Sequence, residues 1–137
     1  MPATNPISYS EFLGREAPFM DAIGLVTYRD DAGARVVALE LEHRHLNAAP
    51  NTHGGVIPAL LDVAMGSASR LHDAAGRSTV TVEMKTSFLR PGGREGETIE
   101  ARSVVRHATR SLAFCEAELR GKDGELLATA SGTFKYL

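Results

Sequence analysis

Two features of residues 47–70, NAAPNTHGGVIPALLDVAMGSASR, are of the types that do chemistry together. Asp62 is a carboxylate set off the middle of an apolar run. Three and four residues from it lie Pro58, Ala59, Met65 and Gly66, a mostly small surface that a ligand could approach closely. Such a group serves as a general base or as a nucleophile. Gly54 and Gly55 precede the run, and Pro58 fixes where its helix begins, because a residue without an N–H is tolerated only in the first turn. The cap therefore falls near Gly54 and Gly55. Their N–H groups then sit at the positive end of the helix dipole, where a carbonyl oxygen becoming an oxyanion is stabilised. The plainer readings are a solvated helical aspartate and an ordinary capped turn.

Distance constrains the pair. Gly55 and Asp62 are separated by about 10 Å along one helix, at ~1.5 Å per residue. One reacting carbonyl cannot touch both groups on the same helix. If they act together, they come from two antiparallel copies, so the active protein is at least a dimer.

The elements that must position these residues follow from periodicity. Ile57, Leu60, Leu61, Ala64, Met65, Ala68 and Leu71 recur at helical intervals and predict a core-facing stripe. Residues 8–20 predict a short helix with Ser8 or Ser10 as cap and Pro18 as stop, an N-terminal extension (residues 1–20) to a single domain spanning 1–137. Residues 23–29 and 34–42 read as a hairpin around Asp30, Asp31, Ala32 and Gly33. Four strand-like runs follow the helix, at 78–89, 97–106, 111–120 and 125–136. In the first, Val80, Val82 and Met84 are expected on one face, with Thr79, Thr81, Glu83 and Lys85 on the other. A lone helix with an apolar stripe must bury it, and a curved antiparallel sheet of about six strands would do so, giving an α+β domain. Its edge strands also favour oligomers.

Composition excludes several classes. With 137 residues and 43% hydrophobic content, the chain can build one real core, and a net charge near −2 gives no case for nucleic acid or for a basic membrane surface. The beginning, MPATNPISYSEF, has no apolar signal segment and no run approaches membrane-span length, so a cytoplasmic protein is expected. Cys115 stands alone and reads as a packed residue. His43 and His45 share a predicted strand face, but no carboxylate or cysteine stands at ligand spacing, so no metal is expected.

The spacing Asn47-x5-His53-Gly54-Gly55-x6-Asp62 resembles that of the hotdog-fold acyl-CoA thioesterases of the PaaI-like, phenylacetate-pathway type. The runs TVEMKTSFLRPG, RSLAFCEAEL and LLATASGTFKYL resemble the same family, from about Ile23 to the end of the chain. The resemblance implies a hotdog fold and two subunits forming a continuous sheet with sites at their interface, often paired again into a tetramer. It implies acyl-CoA as substrate, with no further cofactor. Asp62 would be the acid that activates water or attacks the thioester, and Gly55 of the facing subunit would supply the oxyanion N–H. Asn47 would position substrate or water, and His53 would support the turn. Where some relatives carry a hydroxyl one turn after the acid, this chain has Gly66; Thr81 fits the place of a hydroxyl contributed by the strand beginning TVEM.

CoA carries phosphates, so basic and polar groups near the pocket mouth are expected. The candidates for binding substrate or CoA are Gly54, Arg90 and the hairpin residues Arg106, His107, Thr109, Arg110 and Ser111. Ala59, Val63, Met65, Gly66 and Ser69 suggest room for an acyl group. Two other readings remain: a non-catalytic acyl-CoA or fatty-acid binding module, and an enoyl-CoA hydratase, whose usual Asp and His close together at the helix start are not present at that spacing.

Overall fold

The computed structural model describes residues 2–137. The elements run β1 (Ile7–Ser8), α1 (Tyr9–Leu13), α2 (Pro18–Ile23), β2 (Val26–Arg29), β3 (Arg35–Glu40), a 3-10 turn (His43–His45), α3 (Val56–His72), β4 (Thr79–Phe88), β5 (Thr98–Ala108), β6 (Leu112–Arg120) and β7 (Leu126–Tyr136). All strand pairs are antiparallel, in the spatial order β1-β2-β3-β5-β6-β7-β4. The sheet has seven strands: the six expected, with the two residues of β1 adding a short strand beside β2. The connection through α3 carries β4 past its sequence neighbours to the far edge, so the chain wraps the helix in one sheet. That is the α+β hotdog arrangement.

The helix start lies where Pro58 put it, with Gly55 as N-cap and Val56 as first residue. Ile57, Leu60, Leu61, Ala64 and Met65 are buried against the sheet, and α3 touches each of β3 to β7. Two expectations for the stripe fail at its end. Ala68 is only half-buried and Leu71 is 57% exposed. Val63, Ser67 and Ser69 are buried instead, since α3 is covered from two sides. Tyr9 of α1 meets Ser67 Oγ at 2.6 Å, while Ser69 Oγ donates back to the Met65 carbonyl at 2.9 Å and lies 3.1 Å from Cys115 Sγ. Tyr136 donates to the Ser69 carbonyl at 2.7 Å.

The N-terminal segment departs from a single short helix. Ser8 does cap α1, accepting from the Glu11 N–H at 3.1 Å, but the helix ends at Gly14 in the left-handed region. Pro18 starts α2 rather than stopping a helix. A first-turn proline loses no hydrogen bond, which is the rule that located α3. His43 and His45 lie in the 3-10 turn and not on a strand. His45 is buried, its Nδ1 accepting from the Glu42 N–H at 2.8 Å and its Nε2 lying 2.7 Å from the Ile23 carbonyl. With both ring nitrogens engaged, it is a structural residue.

Strand β4 breaks its simple alternation. The β4–β7 register shifts between Thr81 and Glu83, a bulge that leaves Val82 unpaired and changes the phase of the strand. Thr79 and Thr81 face α3 before it, and Met84 packs on the core after it. Val80 and Val82, expected with Met84, are 45% and 56% exposed on an edge that pairs with no other strand.

At the other end of the sheet, residues 91–93 cross the start of α3. A Cβ at Gly92 would stand 2.6 Å from Ile57 Cδ1 and 3.0 Å from Thr52 Cβ, so any side chain here would force Ile57 to move. Thr52 fastens the crossing by donating to the carbonyl of Gly92 at 2.6 Å. Since Leu60 is fully buried where helix and sheet meet, Leu60→Ala should lower unfolding stability by about 2–5 kcal/mol. A shifted urea midpoint with an unchanged m-value is the expected readout.

Candidate active site

Asp62 lies half-buried in the middle of α3, and the bulged strand brings Thr81 to it. Thr81 Oγ1 donates to Asp62 Oδ1 at 2.6 Å. One carboxylate oxygen is therefore fixed, and the second is not committed to any side chain or backbone donor among the described residues. The pair opens into a cavity of about 220 Å³. Its helix wall is Asp62, Val63, Gly66 and Arg70, its sheet wall Ser78, Thr79, Thr81 and Phe134. Tyr9, Leu13, Arg15 and Met20 close it from the N-terminal segment. Burial pushes the Tyr9 phenol above its ordinary pKa, so it stays a neutral hydrogen-bonding group.

The helix start presents a different picture from the expected one. The Gly55 N–H donates to Nδ1 of His53 at 2.8 Å. The donor assigned to an oxyanion is thus occupied by a side chain of its own turn. Among the described residues the preceding N–H, that of Gly54, has no partner, and a Cβ there would meet open space. His53 is held in turn by its own N–H, which donates to the His45 carbonyl at 2.8 Å. Asn47 folds its side-chain oxygen back to accept from the Ala49 N–H at 2.8 Å. Its carbonyl shapes the loop, and the amide nitrogen remains as its donor.

Gly54, Gly55 and Asp62 remain separated along one straight helix, so a single chain does not bring them together. The phosphate candidates are separated as well. Arg90 follows β4 at the end of the sheet where Gly92 meets Ile57, beside the start of α3. There it lines a cavity of about 510 Å³ with Arg94, Lys122 and Asn51. The 106–111 hairpin lies at the opposite end, near the close of α3. Arg106 pairs with Glu116 at 2.8 Å on the exposed outer face, and His107 stacks on Phe114. Thr109 Oγ1 accepts from the Leu112 N–H at 3.0 Å. The carbonyls of Arg110 and Ser111 hold Arg77 and the Tyr136 N–H.

Of the residues expected to make room for an acyl group, Val63 and Gly66 line the cavity, whereas Met65 and Ser69 are sealed in the core. Cys115 is buried and its thiol pKa is raised by that burial, as suits packing rather than nucleophilic attack. Arg70 also lines the cavity, and the recurrence of Asp62, Gly66 and Arg70 every four residues on one helix face is the pattern that points to it. Tyr9, Arg15 and Met20 carried no comparable signal.

The comparisons agree with this architecture. The thioesterase superfamily model matches residues 49–128, which contain the helix start, Asp62 and Thr81. The chain belongs to the thioesterase superfamily. Human acyl-coenzyme A thioesterase 13 is 28% identical, the match covering 84% of this chain and 82% of the human protein. A variant of the phenylacetic acid degradation protein PaaI from Thermus thermophilus is 33% identical, with a TM-score of 0.76 over 88% of this chain and all of the other. A Bacillus halodurans protein solved with CoA superposes with a TM-score of 0.85 over 93% of this chain and 83% of that one, at 23% identity, a likeness of fold. The protein is a PaaI-like thioester hydrolase.

The His53 contact is directly measurable. His53→Ala should speed hydrogen exchange of the Gly55 amide by about fivefold, the worth of one exposed hydrogen bond. Unchanged exchange would show that the bond does not form in solution.

Proposed function

We propose that the protein hydrolyses an acyl-CoA thioester to a free acid and CoA at a site shared by two antiparallel copies. The observation that carries the reading is the Thr81–Asp62 hydrogen bond at the mouth of a partly apolar cavity. With Oδ1 held by Thr81, the Asp62 carboxylate takes a proton from water as that water attacks the thioester carbon. The carbonyl oxygen becomes an oxyanion, received by an N–H at the helix start of the facing copy. Gly54 is the donor proposed in place of Gly55, because its N–H is open while that of Gly55 is bound by His53. Collapse of the tetrahedral intermediate breaks the C–S bond and releases the CoA thiolate, a good leaving group that needs little acid assistance. The Asn47 amide nitrogen orients the carbonyl or the water, and His53 rigidifies the turn.

The unpaired ten-residue edge of β4, with Val80 and Val82 exposed, supports joining two copies edge to edge into one sheet. That arrangement sets the start of one α3 against the middle of the other. It also brings Arg90 of one copy toward the 106–111 hairpin of its partner, so that CoA phosphates would meet basic groups from both. A dimer is the functional unit in this reading, and a tetramer would be two such dimers. No helix among the described residues is long and apolar enough to cross a membrane, and the reading places the activity in the cytoplasm.

Thiol release from a panel of aromatic and straight-chain acyl-CoAs tests the activity. Asp62→Asn should lower kcat by about a thousandfold, within the range for loss of a general base. Thr81→Val should lower it by about tenfold with KM little changed, as expected for the loss of one charge-assisted hydrogen bond. Near-full turnover by Asp62→Asn would end the assignment. Saturable binding without release of thiol from any thioester would make the protein a binding module. Specific activity should also fall on dilution through the dimer dissociation range, and an active monomer would refute the shared site.

A further inference from the structure

We infer that the acyl group this site takes carries a carboxylate at its far end, seated by Arg70 and Arg15. The inference rests on the thioesterase reading and names its substrate class. Asp62, Gly66 and Arg70 share one face of α3 and line one cavity. Arg70 stands about 12 Å beyond Asp62 along the helix, at ~1.5 Å per residue. Gly66 lies between them without a side chain, and a Cβ there would already touch Phe134 Cε1 at 3.8 Å and Thr79 Oγ1 at 4.0 Å, so a larger residue would fill the stretch of cavity between carboxylate and guanidinium. Arg15 reaches the same cavity from the N-terminal segment and donates to Ser78 Oγ at 3.1 Å.

Charge decides what the lane fits. Neither Arg15 nor Arg70 forms an ion pair among the described residues. Asp62 is the one acidic residue lining the cavity, and Thr81 already engages one of its oxygens. Two cations therefore face a space with a single anion, and that anion is at the far end where the reaction occurs. Between them Val63 and Phe134 provide apolar wall. An apolar chain with a terminal carboxylate matches this sequence of surfaces, and the guanidinium fork matches a carboxylate in geometry as well as charge. A purely hydrocarbon chain would end against two unneutralised cations.

A CoA phosphate is the other source of an anion. It lies beyond the whole pantetheine arm, farther from the thioester than Arg70 is from Asp62. The cavity is also lined by Leu13, Met20, Val63 and Phe134, apolar surface that suits an acyl chain better than a nucleotide. Its volume of about 220 Å³ suits a short dicarboxylic chain rather than a long fatty one.

The test compares adipoyl-CoA with hexanoyl-CoA, equal in length and differing in the terminal carboxylate. Binding of the non-hydrolysable thioethers S-carboxypentyl-CoA and S-hexyl-CoA is measured beside turnover. The wild-type protein should favour the carboxylate in kcat/KM and in affinity by about tenfold or more, the worth of one or two charge-assisted hydrogen bonds. Arg70→Met and, separately, Arg15→Met should each collapse that ratio toward one. Equal handling of the two chains by the wild type, or a preference for hexanoyl, overturns the inference. So does an equal loss of affinity for both thioethers and for free CoA in the variants, which would make the arginines phosphate ligands. Discrimination in binding with no thiol release from any acyl-CoA would sink the hydrolase reading alone. Thiol release without discrimination would sink the carboxylate inference alone.

Discussion

A helix is a ruler, and the rest of this structure answers to that fact. The start of α3 and Asp62 lie on one rigid rod at a spacing no single carbonyl can bridge. No rotamer change or loop motion shortens it. A chain that uses both groups on one substrate has to meet a second copy running the other way. The open edge of β4, the exposed Val80 and Val82, and the location of Arg90 and the 106–111 hairpin at opposite ends of the sheet become intelligible together under that demand.

The bulge at Val82 reconciles two requirements on β4 that strict alternation would set against each other. Before it, Thr81 must point at α3 to hold the Asp62 carboxylate. After it, Met84 must point at the core. Both positions would fall on opposite faces of a regular strand, and one extra residue brings them to the same side. The local irregularity is thus part of how the site is built, and its by-product is the apolar edge.

The N-terminal helices supply what the sheet cannot. The sheet covers only one side of α3, and the other side would expose Val63, Ser67 and Asp62 to solvent. Tyr9 bonds to Ser67 and gives that flank a second wall, so that it becomes one side of a cavity. At the helix start, the contact between His53 and Gly55 works in a similar way. It satisfies the Gly55 N–H and leaves that of Gly54 as the open donor at the helix start.

The sequence by itself determined the helix, its first turn, its buried face and the succession of long strands after it. Those depend on short-range rules: a proline tolerated only in a first turn, apolar residues repeating at the helical period, glycines at the turns. The positions of Asp62 and the glycine pair on that helix were legible for the same reason, and so was the arithmetic of helical rise, by which one helix cannot bring both to a single carbonyl. The tertiary structure decided the rest. Pro18 could stop one helix or start the next, and only the packing of α2 settled it. The faces of β4 inverted because a bulge is a property of pairing with β7, invisible within the strand's own residues. Gly55 lost its free N–H to a histidine two residues before it, an outcome of rotamer and turn geometry. Leu71 left the stripe because α3 outruns the sheet that covers it. Tyr9, Arg15 and Met20 entered the site across long stretches of chain, and contacts at such separation leave no local pattern to read.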